Sequence, residues 1–214
     1  MLLAVAAIAS VVVAEDTTKE DDQKDRYIYG KPGDEDYGTP RSADDVIRLE
    51  RMWSLDLNMQ KVRGFLQGYH RGMYKDFDYM IPEKCLNKES TMQVYYIEKI
   101  VKGFELEELP TISNLAYNVY FNVDFECEIE KYLYDMSCFC FDHDCSMETL
   151  IQNELSKVLQ VTGVLNSIAA VMYGDDQPDE SDHVQMFEVY SQIGANVGKL
   201  IRYTFAFDPK EIHY

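Results

Sequence analysis

The stretch that decides the fold is residues 64–72, which read Gly-Phe-Leu-Gln-Gly-Tyr-His-Arg-Gly (GFLQGYHRG). Glycine recurs at every fourth position, at Gly64, Gly68 and Gly72, within a segment whose apolar spacing predicts a helix. Each glycine destabilises a helix by about 1 kcal/mol relative to alanine. Residues four apart share one face of a helix, so a single face lacks side chains. We therefore expect this face to pack closely against another backbone.

A shorter pattern of the same kind lies near the end of the chain, at Gly194 and Gly198 in residues 194–200 (GANVGKL). The simplest interpretation is that the two glycine faces cross each other, or another helix, inside a bundle. A groove for a ligand or a partner helix, and a helix bent at a glycine, are the alternatives. Small-residue faces also pair helices within membranes, but the first one is flanked by the polar residues Gln67, His70 and Arg71.

Most of the remaining chain also has its apolar residues at helical spacing. The predicted helices begin at Ser42, at Ser90, at Pro110, at Ser146 and at Ser181, although Pro110 is alternatively the end of the helix before it. The apolar spacing after Pro110 reaches Leu133, and that after Ser146 reaches Met172. The alternating residues 117–126 (YNVYFNVDFE) are the one place where a strand is an alternative. We predict helix there, because the same apolar positions fit the helical stripe. The fold class is therefore all-α, a bundle of about five long helices.

The first 14 residues predict a secretory signal peptide cleaved after Ala14. Leu2 to Val13 are apolar or small, and this run is shorter than the roughly 20 residues that span a bilayer. Residues 15–41 are rich in Asp, Glu, Lys, Gly and Pro, which predicts a disordered acidic arm or a removable pro-segment. Residues 42–214 are long enough for a single α-helical domain with a core.

The net charge of -18 and the pI of about 4.5 argue against nucleic acid as a partner, because phosphate binding needs clusters of Lys and Arg. Anionic membrane surfaces are disfavoured by the same repulsion. No second stretch of the sequence is predicted to cross a membrane. The expected charged partners are cations or basic proteins, and the charge also keeps a protein soluble.

Five cysteines lie in the predicted domain, at Cys85, Cys127, Cys138, Cys140 and Cys145. In a secreted protein they are expected to form disulfides, with at most two bridges and one thiol left over. We expect the loop from Ser137 to Cys145 to be bridged internally and also to Cys85 or Cys127. With His143, the last three cysteines spell C-x-C-x2-H-x-C, so a zinc site is the alternative.

No catalytic motif is present: the sequence has no G-x-S-x-G, H-E-x-x-H, P-loop or G-x-G-x-x-G pattern. The four histidines, His70, His143, His183 and His213, are scattered, and each is expected to be an ordinary surface or boundary residue. We predict that the protein is not an enzyme and has no cofactor. The acidic loop Asp175–Asp182 (DDQPDESD) leaves weak calcium binding open, although it lacks the spacing of an EF-hand.

Three stretches together resemble uncharacterised secreted helical proteins of ciliate protists: residues 64–74 (GFLQGYHRGMY), 82–86 (PEKCL) and 193–203 (IGANVGKLIRY). The resemblance covers about Val62 to Phe207. It implies a secreted or secretory-granule location and no catalytic residues. Matrix proteins of ciliate secretory granules are likewise acidic and helical and carry pro-segments.

These observations favour a non-enzymatic structural or interaction protein of a secreted or secretory-granule assembly. Its expected partners are itself or other secreted proteins. The alternative function is that of a helical carrier that binds an apolar ligand or lipid in a glycine-lined groove. Saposin-like carriers have such helices, but the cysteine spacing here differs from their six-cysteine pattern.

Overall fold

The computed structural model describes residues 43–103, 106–174, 179 and 181–212. The predicted signal peptide, the acidic arm and Ser42 lie outside these residues. The backbone divides into two compact units between Ser54 and Leu55. The described residues of the first unit are the beginning of the first helix. The second unit, Leu55–Tyr214, contains the rest of that helix and the other described elements.

The described residues form α-helices and short helical turns without a strand, so the chain is all-α as predicted. The seven α-helices are α1 (Ala43–Tyr74), α2 (Lys88–Lys102), α3 (Leu109–Phe121), α4 (Ile129–Asp142), α5 (Met147–Ser156), α6 (Val158–Tyr173) and α7 (His183–Phe205). Two 3-10 turns, Leu106–Glu108 and Pro209–Glu211, and a π-helix, Asn122–Glu126, connect or follow them. The expected number of about five helices is wrong, because two of the predicted helices are interrupted.

The first interruption divides the helix predicted from Pro110 to Leu133. After α3 the chain forms the π-helix, and Glu128 then adopts a left-handed conformation with φ 59° before α4 begins. The side chain of Asn122 explains this change of path. Its Oδ1 accepts a hydrogen bond from Leu86 N (2.7 Å), and its Nδ2 donates to Lys84 O (2.8 Å). Between those two residues, Cys85 is bonded to Cys127, so the π-helix is tied to the loop before α2.

The second interruption, at Lys157, divides the helix predicted from Ser146 to Met172. Helices α5 and α6 meet at an angle of 83°. Polar side chains near the bend hold the end of α7: Asn153 Nδ2 donates to Thr204 O (3.1 Å) and Lys157 Nζ donates to Tyr203 O (3.5 Å). The apolar stripe expected along one continuous helix is consequently split between two directions.

Two predicted helix starts are displaced, and one is correct. Asn87 caps α2 by accepting hydrogen bonds from Glu89 N (3.0 Å) and Ser90 N (3.2 Å), so Ser90 lies inside the helix, where it is buried. Asp182 caps α7 one residue after the predicted Ser181. Ser146 caps α5 as predicted, by accepting from Thr149 N. Short polar side chains commonly satisfy the first amides of a helix. Asn87 and Ser90, like Ser181 and Asp182, are residues of this kind that lie close together in the sequence, so the sequence did not decide which one caps the helix.

Helices α1 and α7 cross with their glycines facing each other. A Cβ atom placed on Gly68 would lie 2.7 Å from Ala195 N, and one on Gly64 would lie 3.0 Å from Phe187 C. A Cβ on Gly72 would lie 2.8 Å from Ala195 C. In return, a Cβ on Gly194 would lie 2.8 Å from Phe65 C, and one on Gly198 would lie 2.8 Å from Met73 N. Backbone therefore packs directly on backbone.

Two clusters of buried side chains flank this crossing. One contains Met59, Leu66, Ile81, Cys85, Leu86 and Cys127, and it joins α1 to the loop before α2. The other contains Met73, Phe139 and Phe207, from α1, α4 and the segment after α7. The core thus gathers around α1, while α3, α5 and α6 have much of their surface exposed.

Candidate interaction surfaces

The largest group of exposed apolar side chains lies on α5 and α6, and we call it the α5–α6 surface. Leu159 is 86% exposed and Tyr173 is 80% exposed. The members of the surface are Met147, Ile151, Leu155, Val158, Leu159, Leu165, Met172 and Tyr173. Helix α6 contains no Asp, Glu, Lys, Arg or His. The α6 part of the surface therefore lacks charge, whereas α5 also carries the exposed Glu148 and Glu154.

The periodicity of α6 explains which of its residues are exposed. The helix packs against α7, and its more buried positions recur at helical spacing, at Val161, Val164, Ile168 and Val171. These four positions form one stripe. The remaining positions are exposed and uncharged, and only Gln160, Thr162, Asn166 and Ser167 among them are polar, so the outer side of α6 has no charged face of the ordinary kind.

The summed exposure of the α5–α6 surface makes it a candidate binding surface. A large apolar side chain that is about half exposed or more presents on the order of 100 Å² to solvent. The eight members together present about 800 Å², distributed over two helices that meet at 83°, and apolar exposure above a few hundred Å² is typical of interaction sites when it is contiguous. A standard interface buries about 800 Å² on each partner.

A second exposed surface, which we call the aromatic ladder, runs along α3 and the π-helix. Tyr117, Phe121 and Phe125 follow one another at spacings of four residues and are all exposed. The ring centroids of Tyr117 and Phe121 are 6.5 Å apart, and those of Phe121 and Phe125 are 4.5 Å apart with the rings stacked. Aromatic residues are enriched at the centres of protein interfaces, so the ladder is a candidate contact surface.

None of the described helices alone has the length and apolar character of a membrane span. Helices α5 and α6 reach both when they are taken together, and the pair is bent by 83°.

A buried polar network surrounds His70, which is only 5% exposed. Its ring stacks on Tyr79, with centroids 3.6 Å apart, and its Nδ1 lies 3.3 Å from the Tyr132 hydroxyl. Nearby, the Tyr74 hydroxyl donates a 2.6 Å hydrogen bond to Asp135 Oδ2, and Asp135 is fully buried. The prediction that His70 is a surface or boundary residue is wrong. The ring is part of the core, where it is enclosed by aromatic side chains.

Burial sets the protonation states in this network. It lowers the pKa of His70 to about 4; Lys131 acts in the same direction, and Asp76 and Asp135 oppose it. Burial, and then the hydrogen bond to Asp135, raise the pKa of Tyr74, and burial raises that of Tyr132. At neutral pH the imidazole is therefore uncharged and both phenols are protonated. The network rigidifies the packing of α1 on α4 and on the loop after α1.

That loop is held on three polar residues of α1. Ile81 N donates to Gln67 Oε1 (3.0 Å), the His70 ring stacks on Tyr79, and Arg71 Nε donates to Tyr79 O (3.0 Å). All three lie between the glycines of the stretch 64–72. One side of that stretch therefore binds α7, and the neighbouring side binds the loop.

Four of the five cysteines form two disulfides. Cys85 pairs with Cys127 (Cα–Cα 4.7 Å) and Cys140 pairs with Cys145 (Cα–Cα 5.4 Å), whereas Cys138 is free and half-buried. The expected internal bridge of the loop is present. The expected bridge from this loop to Cys85 or Cys127 is wrong, because those two residues bond to each other through the contact of the π-helix with the loop before α2. Disulfides of this kind form in an oxidising compartment.

The residues of the zinc alternative make other contacts in the structure. Cys140 and Cys145 are bonded to each other, and His143 stacks on Phe139 and pairs with Glu211 at 3.3 Å. Within the described ranges no group of three or more His, Cys, Asp and Glu side chains is arranged to hold a metal ion. Most of the acidic loop lies outside these ranges; its residue Asp182 caps α7. His183 pairs with Asp56 at 3.1 Å, and His213 is not described.

Sequence reasoning identified the glycine faces but missed both exposed surfaces and the His70 network. The available signal for the α5–α6 surface was the complete lack of charge in residues 158–173. The signal for the ladder was the spacing of Tyr117, Phe121 and Phe125 in the segment where helix and strand competed. His70 gave no signal beyond its place among the glycines.

In comparisons with known proteins, no family model, curated protein or solved structure matches this chain.

Proposed function

We propose that this protein is a secreted, non-enzymatic structural or interaction protein that takes part in an extracellular or secretory-granule assembly. The observation that carries the proposal is the α5–α6 surface, about 800 Å² of apolar side chains in an otherwise strongly acidic chain. The aromatic ladder supplies a second, separate contact surface. A protein with two such surfaces is suited to joining several partners.

Other features support the same role. Two disulfides suit a secreted protein, and the resemblance to secreted ciliate proteins points to the same compartment. The high negative charge keeps copies apart at long range until calcium, acid or a basic partner screens it. Apolar contact then supplies the attraction at short range.

The carrier alternative requires an open groove lined by the glycines. The space that the glycines of α1 leave is filled by the backbone of α7, and the space that Gly194 and Gly198 leave is filled by the backbone of α1. No specific observation favours a bound lipid over protein association.

The test is the mass of the secreted protein in solution, measured by sedimentation and light scattering over a range of calcium concentration and pH. We expect particles that contain more than one chain. The double variant Leu155→Ser and Leu159→Ser should reduce their mass, because it removes apolar contacts of the α5–α6 surface. Phe77→Ser is the matched control, since Phe77 is equally exposed but lies outside both surfaces. A single chain under all conditions, alone and with the other secreted proteins of its source, would overturn the proposal.

A further inference from the structure

Met80, in the loop after α1, is an exposed methionine whose sulfur lies beside a cation. The residue is 72% exposed, and Arg71 Nη2 donates to Met80 Sδ at 3.6 Å. A thioether sulfur is only a weak acceptor, so this contact adds little to the stability of the chain as it stands. It does place a charged hydrogen-bond donor next to a sulfur that solvent reaches.

The guanidinium of Arg71 is held in this place by the backbone of the loop. Its Nε donates to Tyr79 O (3.0 Å) in a partly buried contact. The guanidinium is planar, and its N–H groups have fixed directions relative to one another. The bond from Nε therefore keeps Nη2 beside residue 80, and the position of the donor does not depend on the weak bond to sulfur.

Oxidation of Met80 would turn the weak acceptor into a strong one. In the reaction with hydrogen peroxide, a sulfur lone pair attacks one peroxide oxygen, the S–O bond forms and the O–O bond breaks. The sulfur loses two electrons, and the departing hydroxide takes the proton of the transferred hydroxyl group and leaves as water. The product is methionine sulfoxide, a polar side chain whose oxygen accepts hydrogen bonds readily.

The surroundings of Met80 decide whether the sulfoxide stabilises or destabilises the fold. Methionine sulfoxide disrupts a protein where it brings a polar group into apolar packing. Met80 belongs to neither of the two buried clusters and lies mostly in solvent, so little packing is lost. The gain is a hydrogen bond from the charged Arg71, and such bonds are stronger than those between neutral groups. The balance therefore favours the folded chain.

Met80 lies between the two residues that fasten the loop to α1. The ring of Tyr79 stacks on His70, and Ile81 N donates to Gln67 Oε1 (3.0 Å). A strong bond from Arg71 to residue 80 would add a third attachment between them. Local opening of the loop exposes the Ile81 amide, so the exchange of this amide with solvent measures how tightly the loop is held.

We propose that Met80 is an oxidation site that takes one oxygen atom from hydrogen peroxide, and that its sulfoxide accepts a hydrogen bond from Arg71 and tightens the loop on α1. The two disulfides suit an oxidising compartment, in which an exposed thioether is open to peroxide. Methionine sulfoxide reductases reverse the change. The inference goes beyond the proposed function, because it concerns a single chain and does not depend on assembly.

The test is the exchange rate of the Ile81 amide, measured by NMR before and after the native protein is treated with dilute hydrogen peroxide. Peptide mass spectrometry follows the sulfoxide at Met80. We expect oxidation to slow the exchange about two- to fivefold, as one net hydrogen bond of modest strength would. A methionine sulfoxide reductase should restore the original rate.

Substitutions of methionine identify the acceptor. Met80→Leu removes the sulfur, so peroxide should no longer change the exchange of Ile81. Met147→Leu is the matched control, since Met147 is 71% exposed at the start of α5, and the effect of peroxide should persist in it. Met80→Gln places a carbonyl oxygen in the side chain and should slow the exchange without peroxide.

The donor is identified by Arg71→Gln. This variant also loses the bond to Tyr79 O, so its loop should open more readily in both the reduced and the oxidised form. The informative quantity is the change on oxidation, which should disappear. If the variant does not fold, the comparison of Met80→Leu with Met80→Gln still decides the question.

Three results would overturn the proposal. The first is exchange of Ile81 that is unchanged or faster once Met80 is oxidised. The second is equal slowing by peroxide in Met80→Leu, which would assign the effect to another methionine. The third is a Met80 that stays reduced at a peroxide concentration that oxidises Met147. Slowing that requires both Met80 and Arg71 supports the proposal.

Discussion

Glycines lie on two helix faces of this protein whose surroundings differ. At the α1–α7 crossing, a Cβ on Gly68 would meet Ala195 N at 2.7 Å, whereas on α6 a Cβ on Gly163 would meet nothing within 4 Å. The same residue therefore permits close packing in one place and lies on an open surface in the other. A helical glycine indicates a close neighbour only when the fold supplies that neighbour from elsewhere in the chain.

The strongest test of the comparison is Gly68→Ala. The added methyl group would overlap the backbone at Ser191 and Ala195, which cannot rotate away as a flexible side chain can. We expect the free energy of unfolding to fall by about 3 kcal/mol, the upper end of the usual range for overpacking. Urea denaturation followed by circular dichroism measures this change. A variant as stable as the wild type would show that α1 and α7 are further apart than described.

The pH dependence of stability tests the side of α1 that packs on the loop. Burial lowers the pKa of His70 to about 4 from 6.5, so the unfolded chain binds a proton more readily than the folded chain between these values. Stability should therefore be unaffected by His70 above pH 6.5 and should fall as the pH drops from 6.5 to 4, by up to about 3 kcal/mol. Helix α6 has no carboxylate or imidazole and makes no such contribution.

The control for this prediction is His70→Gln, studied by denaturation at pH 7, 6 and 5. The substitution also changes contacts that do not depend on pH, so the informative quantity is the slope of stability against pH. We expect the slope between pH 7 and 5 to decrease in the variant, because the carboxylates titrate mainly at lower pH. An unchanged slope would assign the acid sensitivity to other groups.

The smallest expected effect is that of Gly163→Ala, the counterpart of Gly68→Ala on the open face. No atom obstructs the new methyl group, and alanine favours the helix by about 1 kcal/mol. The variant should therefore be more stable than the wild type when both are measured at concentrations low enough to keep single chains. Destabilisation under those conditions would mean that α6 is already covered within one chain.

The all-α class and the glycine crossing were accessible from the sequence because each rests on a local period. Apolar residues at helical spacing predict helices, and glycines four apart place a bare face on each of two helices. The breaks at Asn122–Glu128 and at Lys157 were not accessible, because the apolar spacing continues through both. Their causes are contacts of Asn122 with Leu86 and of Asn153 with Thr204, which only the folded chain brings together.

The candidate surfaces were less predictable than the fold for a related reason. A continuous helix from Ser146 to Met172 would have placed Ile151, Leu155 and Leu165 on one inner stripe. The bend leaves those three side chains exposed instead. Similarly, the pairing of Cys85 with Cys127 depends on a contact between segments 42 residues apart, and spacing alone allowed fifteen arrangements of two bridges.

The α1–α7 crossing has a consequence for how the chain is made. Five other helices separate α1 from α7 in the sequence, and ribosomes add about 5–20 residues per second. The glycine face of α1 thus leaves the ribosome several seconds before α7, the helix that packs on it, has been synthesised. Nascent chains that end before His183 should bind chaperones and remain sensitive to protease at residues 64–72, and protection should arise only when the last helix has emerged.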